Sequence, residues 1–369
     1  MCSTVLEPTT DRAGGSAGPQ VEAAACALPL SRRVSAPRQL CTPRHPDVMT
    51  WRAATEADIG AIWELRQAMG QADHPNYRTA RESIEADFAL PGFEAERDSM
   101  IGFDVTGRAV AVGMVMFPAR HRTIVRSLPI GGVHPDFRGR GIGRALLDWQ
   151  LGRARQQLAS SSRDLPGWII AFADQRAPRD ARLFERGGLR LARHFLSMER
   201  RLSDPIDAPR APSRVRIVPY ATSMSDAVHR ARDDVFIDHW GSQPMTDERW
   251  RALVGSTRFA AGLSFVALAQ GCGGGECVVG FVLSSEDPGI WHTQGFTSSR
   301  VDQIGVRAAW RGRGVAQSLL ATQLRLSRAR GLDRVTLTTD GGFQARPLAL
   351  HSSAGFRTTG SKKAFVLEL

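Results

Sequence analysis

The chain has 369 residues, 42% of them hydrophobic and 23% charged, which reads as soluble and globular, and no apolar run approaches the length of a membrane helix. Its formal net charge is +11, but every basic residue except Lys362 and Lys363 is arginine, spread along the chain without interleaved stacking aromatics; this charge reads as general attraction for anionic ligands, with neither nucleic acid nor a membrane as partner. Five cysteines, Cys2, Cys26, Cys41, Cys272 and Cys277, form neither a disulfide framework nor a two-by-two zinc spacing, so no metal is expected and the pattern fits a reducing cytoplasm.

In chain order, residues 1–48 contain "TTDRAGGSAGPQ" and "SAPRQLCTPRHP" and show no sustained periodicity, which predicts a disordered leader. Met49 opens the first folded-looking stretch. "WRAATEADIGAIWELRQAM" predicts a strand and then a helix carrying Ile59, Ile62, Trp63 and Leu65 at helical spacing. A second helix follows at about 79–90. "SMIGFDV" and "AVAVGMVMF" pair around the turn "TGR", a further strand ends at Val133, and a helix begins near Gly141. "GWIIAFA" is a late strand and "RDARLFERGG" a late helix. The proline-rich linker "SDPIDAPRAPS" spans residues 203–213.

The plan then repeats. "RIVPYATSMSDAVHRARDDVF" gives strand and helix, 246–254 a second helix, and "LSFVALA" with "CVVGFVLS" a hairpin whose tip holds Cys272 and Cys277. "RVTLTT" and "QARPLALHSSAG" are the late strand and helix. Residues 49–202 and 214–369 therefore read as two tandem α+β domains of one fold, each a mixed, mostly antiparallel sheet flanked by helices.

The repeat is sharpest at "RGRGIG" (138–143) and "RGRGVA" (311–316). Each follows a strand and opens an amphipathic helix, where glycines allow close backbone approach and free helix amides favour phosphate oxygens. A nucleotide P-loop would require Lys-Ser or Lys-Thr after its last glycine, and Arg144-Ala145 and Gln317-Ser318 stand there instead.

With these residues in view, the sequence resembles the GNAT acetyltransferase superfamily, whose pyrophosphate pattern is Gln or Arg, two residues, Gly, one residue, then Gly or Ala. Arg138, Gly141 and Gly143 match it in the first half, and Arg311, Gly314 and Ala316 in the second. The tandem layout is similar to that of mycothiol synthase-like acetyltransferases of actinobacteria. The resemblance implies acetyl-coenzyme A as donor, with Val133, Arg138, Gly139, Arg140, Gly141, Ile142, Gly143 and Arg144 around it in one half. In the other half the corresponding residues are Val306, Arg311, Gly312, Arg313, Gly314, Val315, Ala316 and Gln317. It also implies a pantetheine arm along residues 128–133 or 301–306.

Acetyl transfer needs a neutral amine, a polarised thioester carbonyl and a proton for the departing thiolate. Aligning the two domain ends places Phe184 and His351 where the family commonly has an acidic tyrosine. Phe184 reads as core. His351 reads either as a general acid, with an ordinary pKa near ~6.5, or as a packed aromatic substitute. Asp302, on the donor strand, is the candidate base, or else an ion-paired aspartate. Asp238, His239 and Trp240 are the candidate acceptor contacts. The expected activity is direct N-acetyl transfer to the primary amine of a small polar molecule, carried by the second domain, with the first binding the donor or keeping a relic site. Protein or peptide N-acetylation is the alternative within enzymes, and a catalytically silent coenzyme A sensor or scaffold is the alternative outside them.

Overall fold

The computed structural model describes residues 28–369 other than 74–79, 119–120, 122, 208, 210–211, 238–239, 241–243, 273–274 and 342–344. The first half runs α1 (Leu30–Arg33), β1 (Thr50–Arg52), α2 (Ile59–Asp73), α3 (Arg81–Phe88), α4 (Ala95–Asp98), β2 (Ser99–Phe103), β3 (Ala109–Met116), β4 (Val125–Val133), α5 (Ile142–Ala159), β5 (Gly167–Asp174), α6 (Pro178–Arg186) and β6 (Arg190–Arg201). The second half repeats it as β7 (Val215–Pro219), α7 (Ser225–Phe236), α8 (Asp247–Val254), β8 (Phe265–Cys272), β9 (Gly275–Glu286), α9 (Pro288–Gln294), β10 (Ser298–Val306), α10 (Val315–Ala329), β11 (Arg334–Asp340), α11 (Ala345–Ser353) and β12 (Arg357–Glu368).

The chain divides into two units, and neither is a contiguous half. Among the described residues, one unit holds 28–193 and Lys362–Leu369, the other His194–Ser361. In the first unit β1, β2, β3 and β4 pair antiparallel in order, β4 pairs parallel to β5, and the edge of β5 is closed by Lys362–Glu368 of β12. In the second, β7, β8, β9 and β10 pair antiparallel in order, β10 pairs parallel to β11, and β11 is closed by Phe195–Arg201 of β6. Each unit is thus completed by a strand from the other half of the sequence. The boundaries expected at 49–202 and 214–369 shift accordingly, because an alternating closing strand fits either sheet equally well and sequence pattern does not say which.

Burial explains the strand compositions. In β3, Ala111 and Val115 enter a cluster with Leu146, Leu147 and Leu151 of α5, while Val112, Met114 and Met116 enter another with Ile62 and Leu65 of α2. Both faces are covered, so the strand is apolar throughout, and each fully buried side chain contributes about 1.5–3 kcal/mol. In the second unit the same two-sided arrangement places Leu319 and Leu324 of α10 in one cluster and Val228 and Phe236 of α7 in another.

Order begins earlier than the sequence suggests. Residues 28–48, read above as part of a disordered leader, are packed on the first unit: Leu30 is fully buried, Val34 and Val48 are buried, and Arg33 donates to the carbonyls of Leu165 and Leu369. A few anchors suffice to hold a stretch whose composition is otherwise polar. β8 and β9 pair as a hairpin, as expected, with residues 273–274 of its tip outside the described residues, but Cys277 is disulfide-bonded, where reduced thiols were expected. No described helix is long and apolar enough to cross a membrane.

Candidate active site

In both units the strand before the signature parts from its parallel neighbour. β4 pairs with β5 only through Val125–Ser127, and β10 pairs with β11 only through Ser298–Val301. Residues 128–133 and 302–306 therefore keep backbone groups that the late strand does not use, which is the cleft a slender donor arm requires.

Each cleft ends in the same turn. A short 3-10 segment, Pro135–Phe137 or Ala308–Trp310, leads to an extended arginine, Arg138 or Arg311. That arginine's Nε donates back to the last strand carbonyl, of Val133 or of Val306, at 3.0 Å in both. The first position of the motif is thus a brace that fixes the loop against the strand. Two left-handed glycines follow, Gly139 (φ 80°) and Gly141 (φ 104°) in one, Gly312 (φ 73°) and Gly314 (φ 83°) in the other. Residues with a Cβ rarely adopt that conformation, so the spacing of the glycines is dictated by the turn itself. Buried Ile142 and Val315 then anchor the first turn of α5 and α10, whose leading amides have no acceptor within the helix. Gly143 and Ala316 stand at the third small position, and a Cβ on Gly143 would meet Leu183 at an ordinary 3.5 Å.

Arg140 and Arg313 differ in their surroundings. In the first unit Arg138 also forms a two-pronged pair with Asp73 at 2.7 and 2.8 Å, and Arg140 pairs with Asp47 at 3.2 Å. The Arg140 carbonyl contacts His45 Nε2 at 2.8 Å, and the same ring is the nearest group to Gly141. The stretch around residues 45–48 thus lies against this loop. In the second unit Arg313 stacks over Trp310 at 5.1 Å and makes no ion pair with a described residue, and a Cβ built on Gly312 or Gly314 meets nothing within 4 Å. This loop has the open backbone that approach of a pyrophosphate demands. Exposed Arg144 and Gln317 flank the two helix starts.

The strands differ as well. The pairing of β10 with β9 slips between Val301 and Gln303, so Asp302 sits on a bulge where the strands part. Burial raises its pKa above the ordinary carboxylate value, against the pull of Arg300 (Nε to Oδ1 3.3 Å) and a hydrogen bond from Ser285. The residue nine positions before Arg138, as Asp302 is nine before Arg311, is Pro129. Proline has neither a carboxylate nor an amide hydrogen to offer. Simple register between the two signatures reveals this substitution.

Of the two readings of His351, its surroundings favour the packed ring. The residue is 2% exposed, its Nδ1 has no partner among the described residues, its ring packs edge-on to Phe356 at 5.9 Å, and burial pushes its pKa down to about 4. The ring is therefore neutral near pH 7, not the imidazolium acid considered above. Phe184 packs with Phe365 at 5.8 Å on the first core, as its reading as core requires. Trp240 lies 6.4 Å from Phe195, whereas Asp238 and His239 fall outside the described residues. Asp73, Asp47 and His45 were not singled out for this loop from sequence, because their contacts with 138–140 span 65 residues or more.

Residues 225–356 match the model of the acetyltransferase (GNAT) family. Across its length the chain is similar to a mycothiol acetyltransferase of Salinispora arenicola, 29% identical over 350 residues covering 89% of this chain and 94% of that one. It is likewise similar to one of Saccharomonospora viridis, 28% identical over 309 residues covering 83% and 94%. A GCN5-related N-acetyltransferase from Sphaerobacter thermophilus superposes with a TM-score of 0.70 at 25% identity, covering 88% of this chain and 97% of that one. A tandem GNAT protein from the clavulanic acid biosynthesis pathway shares the fold, with a TM-score of 0.62 at 15% identity, covering 86% and 98%. The chain carries a GNAT acetyltransferase domain in its second half and has the tandem GNAT architecture. It is an N-acetyltransferase, similar in sequence to mycothiol acetyltransferases.

Proposed function

We propose that the second unit transfers an acetyl group from acetyl-coenzyme A directly to the primary amine of a small polar acceptor, a mycothiol precursor being the first candidate by analogy with the relatives' name. The observation that carries this reading is the bulged, half-buried Asp302 at the point where β10 leaves β11, nine residues before an open signature loop. The loop amides at Gly312–Ala316 and the dipole of α10 receive the donor's pyrophosphate, with Arg313 as the nearby cation and Arg311 holding the turn in place. The splayed strand 302–306 takes the pantetheine arm.

Asp302 accepts the proton of the attacking amine, directly or through a water. A carboxylate whose pKa is raised by burial is a stronger base than an ordinary one, and closer to the working pH. The amine nitrogen forms its bond to the acetyl carbon, the carbon–sulfur bond breaks, and the sulfur leaves as a thiolate of ordinary pKa near ~8.5 that takes up a proton. No charged histidine is required. The contact of half-buried Trp240 with Phe195 favours a bounded acceptor side in this unit.

The first unit, with Pro129 at the bulge position and its arginines paired to Asp73 and Asp47, supports the fold. Mass spectrometry of products from acetyl-coenzyme A and a panel of small amines, including amino sugars and cysteinyl amines, tests the reading. Acetylation of a small amine that depends on Asp302 supports it. Acetylation confined to peptide substrates, or none at all, overturns it in favour of the protein acetyltransferase or silent sensor.

A further inference from the structure

The second unit also contains a cavity of about 610 Å³ that acetyl transfer does not use. It lies between the C-terminal end of α10, the end of β6, the segment that leads into β10 and the start of β11, walled by Arg201, Phe296, Arg328, Asp333 and Arg334 among others. The nine residues of β10 separate it from the signature loop, roughly 26 Å at about 3.3 Å per residue. A smaller cavity of about 80 Å³ shares Arg201 and adds Arg357.

The acids here are already engaged. Glu199 accepts from Arg334 through both oxygens at 2.9 Å, and Arg334 in turn lies 4.0 Å over the Phe296 ring. Asp204 pairs with Arg200 at 3.0 Å. Asp333 accepts from the Thr297 amide at 2.8 Å and its hydroxyl at 2.9 Å, bonds that hold its pKa below the usual range. Arg201, Arg328 and Arg357 remain, and none makes an ion pair with a described residue. Arg328 also occupies the last turn of α10, where the helix dipole favours a cation.

Three guanidinium groups without acids, on two adjoining cavities, form a concentration of positive charge that an anion relieves. Their planar forks match the paired oxygens of phosphate and carboxylate groups. The larger cavity falls within the ~300–1,000 Å³ range of small-molecule sites. We propose that this is a second anion site, remote from the acetyl-transfer centre, that takes a small metabolite through a phosphate or carboxylate group held by Arg201 and Arg328, with Arg357 alongside.

The test must separate this site from the signature loops, which are also built for phosphate. Full-length protein carrying Gly141→Glu and Gly314→Glu is titrated calorimetrically with inorganic pyrophosphate and, in a second arm, with citrate. Saturable binding of at least one probe is expected, weakened roughly tenfold or more by Arg201→Gln with Arg328→Gln and unchanged by Arg216→Gln, an exposed arginine paired to Glu276 elsewhere on the unit. Pyrophosphate alone marks a phosphate site, and citrate, alone or as a competitor, marks a site that reads carboxylates. Circular dichroism and melting without ligand establish folding, and if the paired variant does not fold, Arg357→Gln is read in the same titration. Absence of saturable binding by both probes, or binding that survives the arginine substitutions, overturns the proposal.

Discussion

The two signature loops share a backbone and differ in what surrounds it. Both have an arginine Nε tied to the preceding strand, two left-handed glycines and a buried aliphatic first helical residue. In the first unit the neighbouring arginines meet carboxylates and the 45–48 stretch lies beside the loop; in the second, the glycines face open space and the strand ahead carries a bulged carboxylate. A motif thus certifies the shape of a turn, and its surroundings decide what the turn is available to bind.

The largest expected effect comes from setting a negative charge in each loop in turn. Gly314→Glu places a carboxylate where we propose that the donor's pyrophosphate sits and a Cβ at positive φ, and should weaken acetyl-coenzyme A binding by roughly 100-fold or more. Gly141→Glu should leave turnover nearly intact. Calorimetric titration with a parallel rate assay reads both, and a greater loss in the first loop would reverse the assignment of the units.

Next is Asp302→Asn, which removes the proposed base while keeping the side chain's size. kcat/KM should fall by roughly 10²–10³. Since Asp302 must be ionised to accept a proton and burial raises its pKa, the wild-type rate should climb with pH through an acidic limb lying above the ordinary carboxylate range. A pH profile of the variant should lack that limb. If the limb persists in the variant, another group is the base.

A smaller change is expected from His351→Phe. The folded protein's pKa of about 4 lies below the ordinary 6.5, so on acidification the unfolded chain binds a proton first. The neutral ring's contribution is complete above about 6.5 and is lost as the pH falls toward 4, amounting to roughly 3 kcal/mol. Denaturant melts across this window should show a shallower decline in the variant, with turnover preserved. A large loss of kcat would restore a role in the chemistry to this ring.

Smallest are the arginine pairs of the first loop. Arg138→Ala leaves the half-buried Asp73 without its partner and should lower stability by about 1–2 kcal/mol. Arg140→Ala breaks a more exposed pair and should cost under ~0.5 kcal/mol. Thermal melts distinguish them, and an equal cost would mean that Arg138 is not the brace.

How much of this was legible in the sequence depended on the range of the interaction. The two-fold repeat, the hairpins and the turn at each signature could be read directly, since periodicity, glycine spacing and strand–helix order are local. The bulge at Asp302 depends on the register of β10 against β9, and the Arg138–Asp73 pair joins residues 65 positions apart. Neither has a local signature. His351 was recognised as either an acid or a packed ring, but its protonation state is set by burial among distant residues, which sequence alone does not give. The packed 28–48 stretch was missed because its hold on the unit depends on isolated anchors such as Leu30 rather than on a repeating pattern.

The exchanged closing strands also govern how the molecule comes into being. The first unit needs Lys362–Glu368 beside β5, so the amino-terminal half cannot finish its sheet until β12 has been synthesised and has emerged from the ribosome. Synthesis and completion therefore run in opposite orders: the half made earlier waits for a strand made later, and a chain cut short before β12 injures the unit encoded ahead of it.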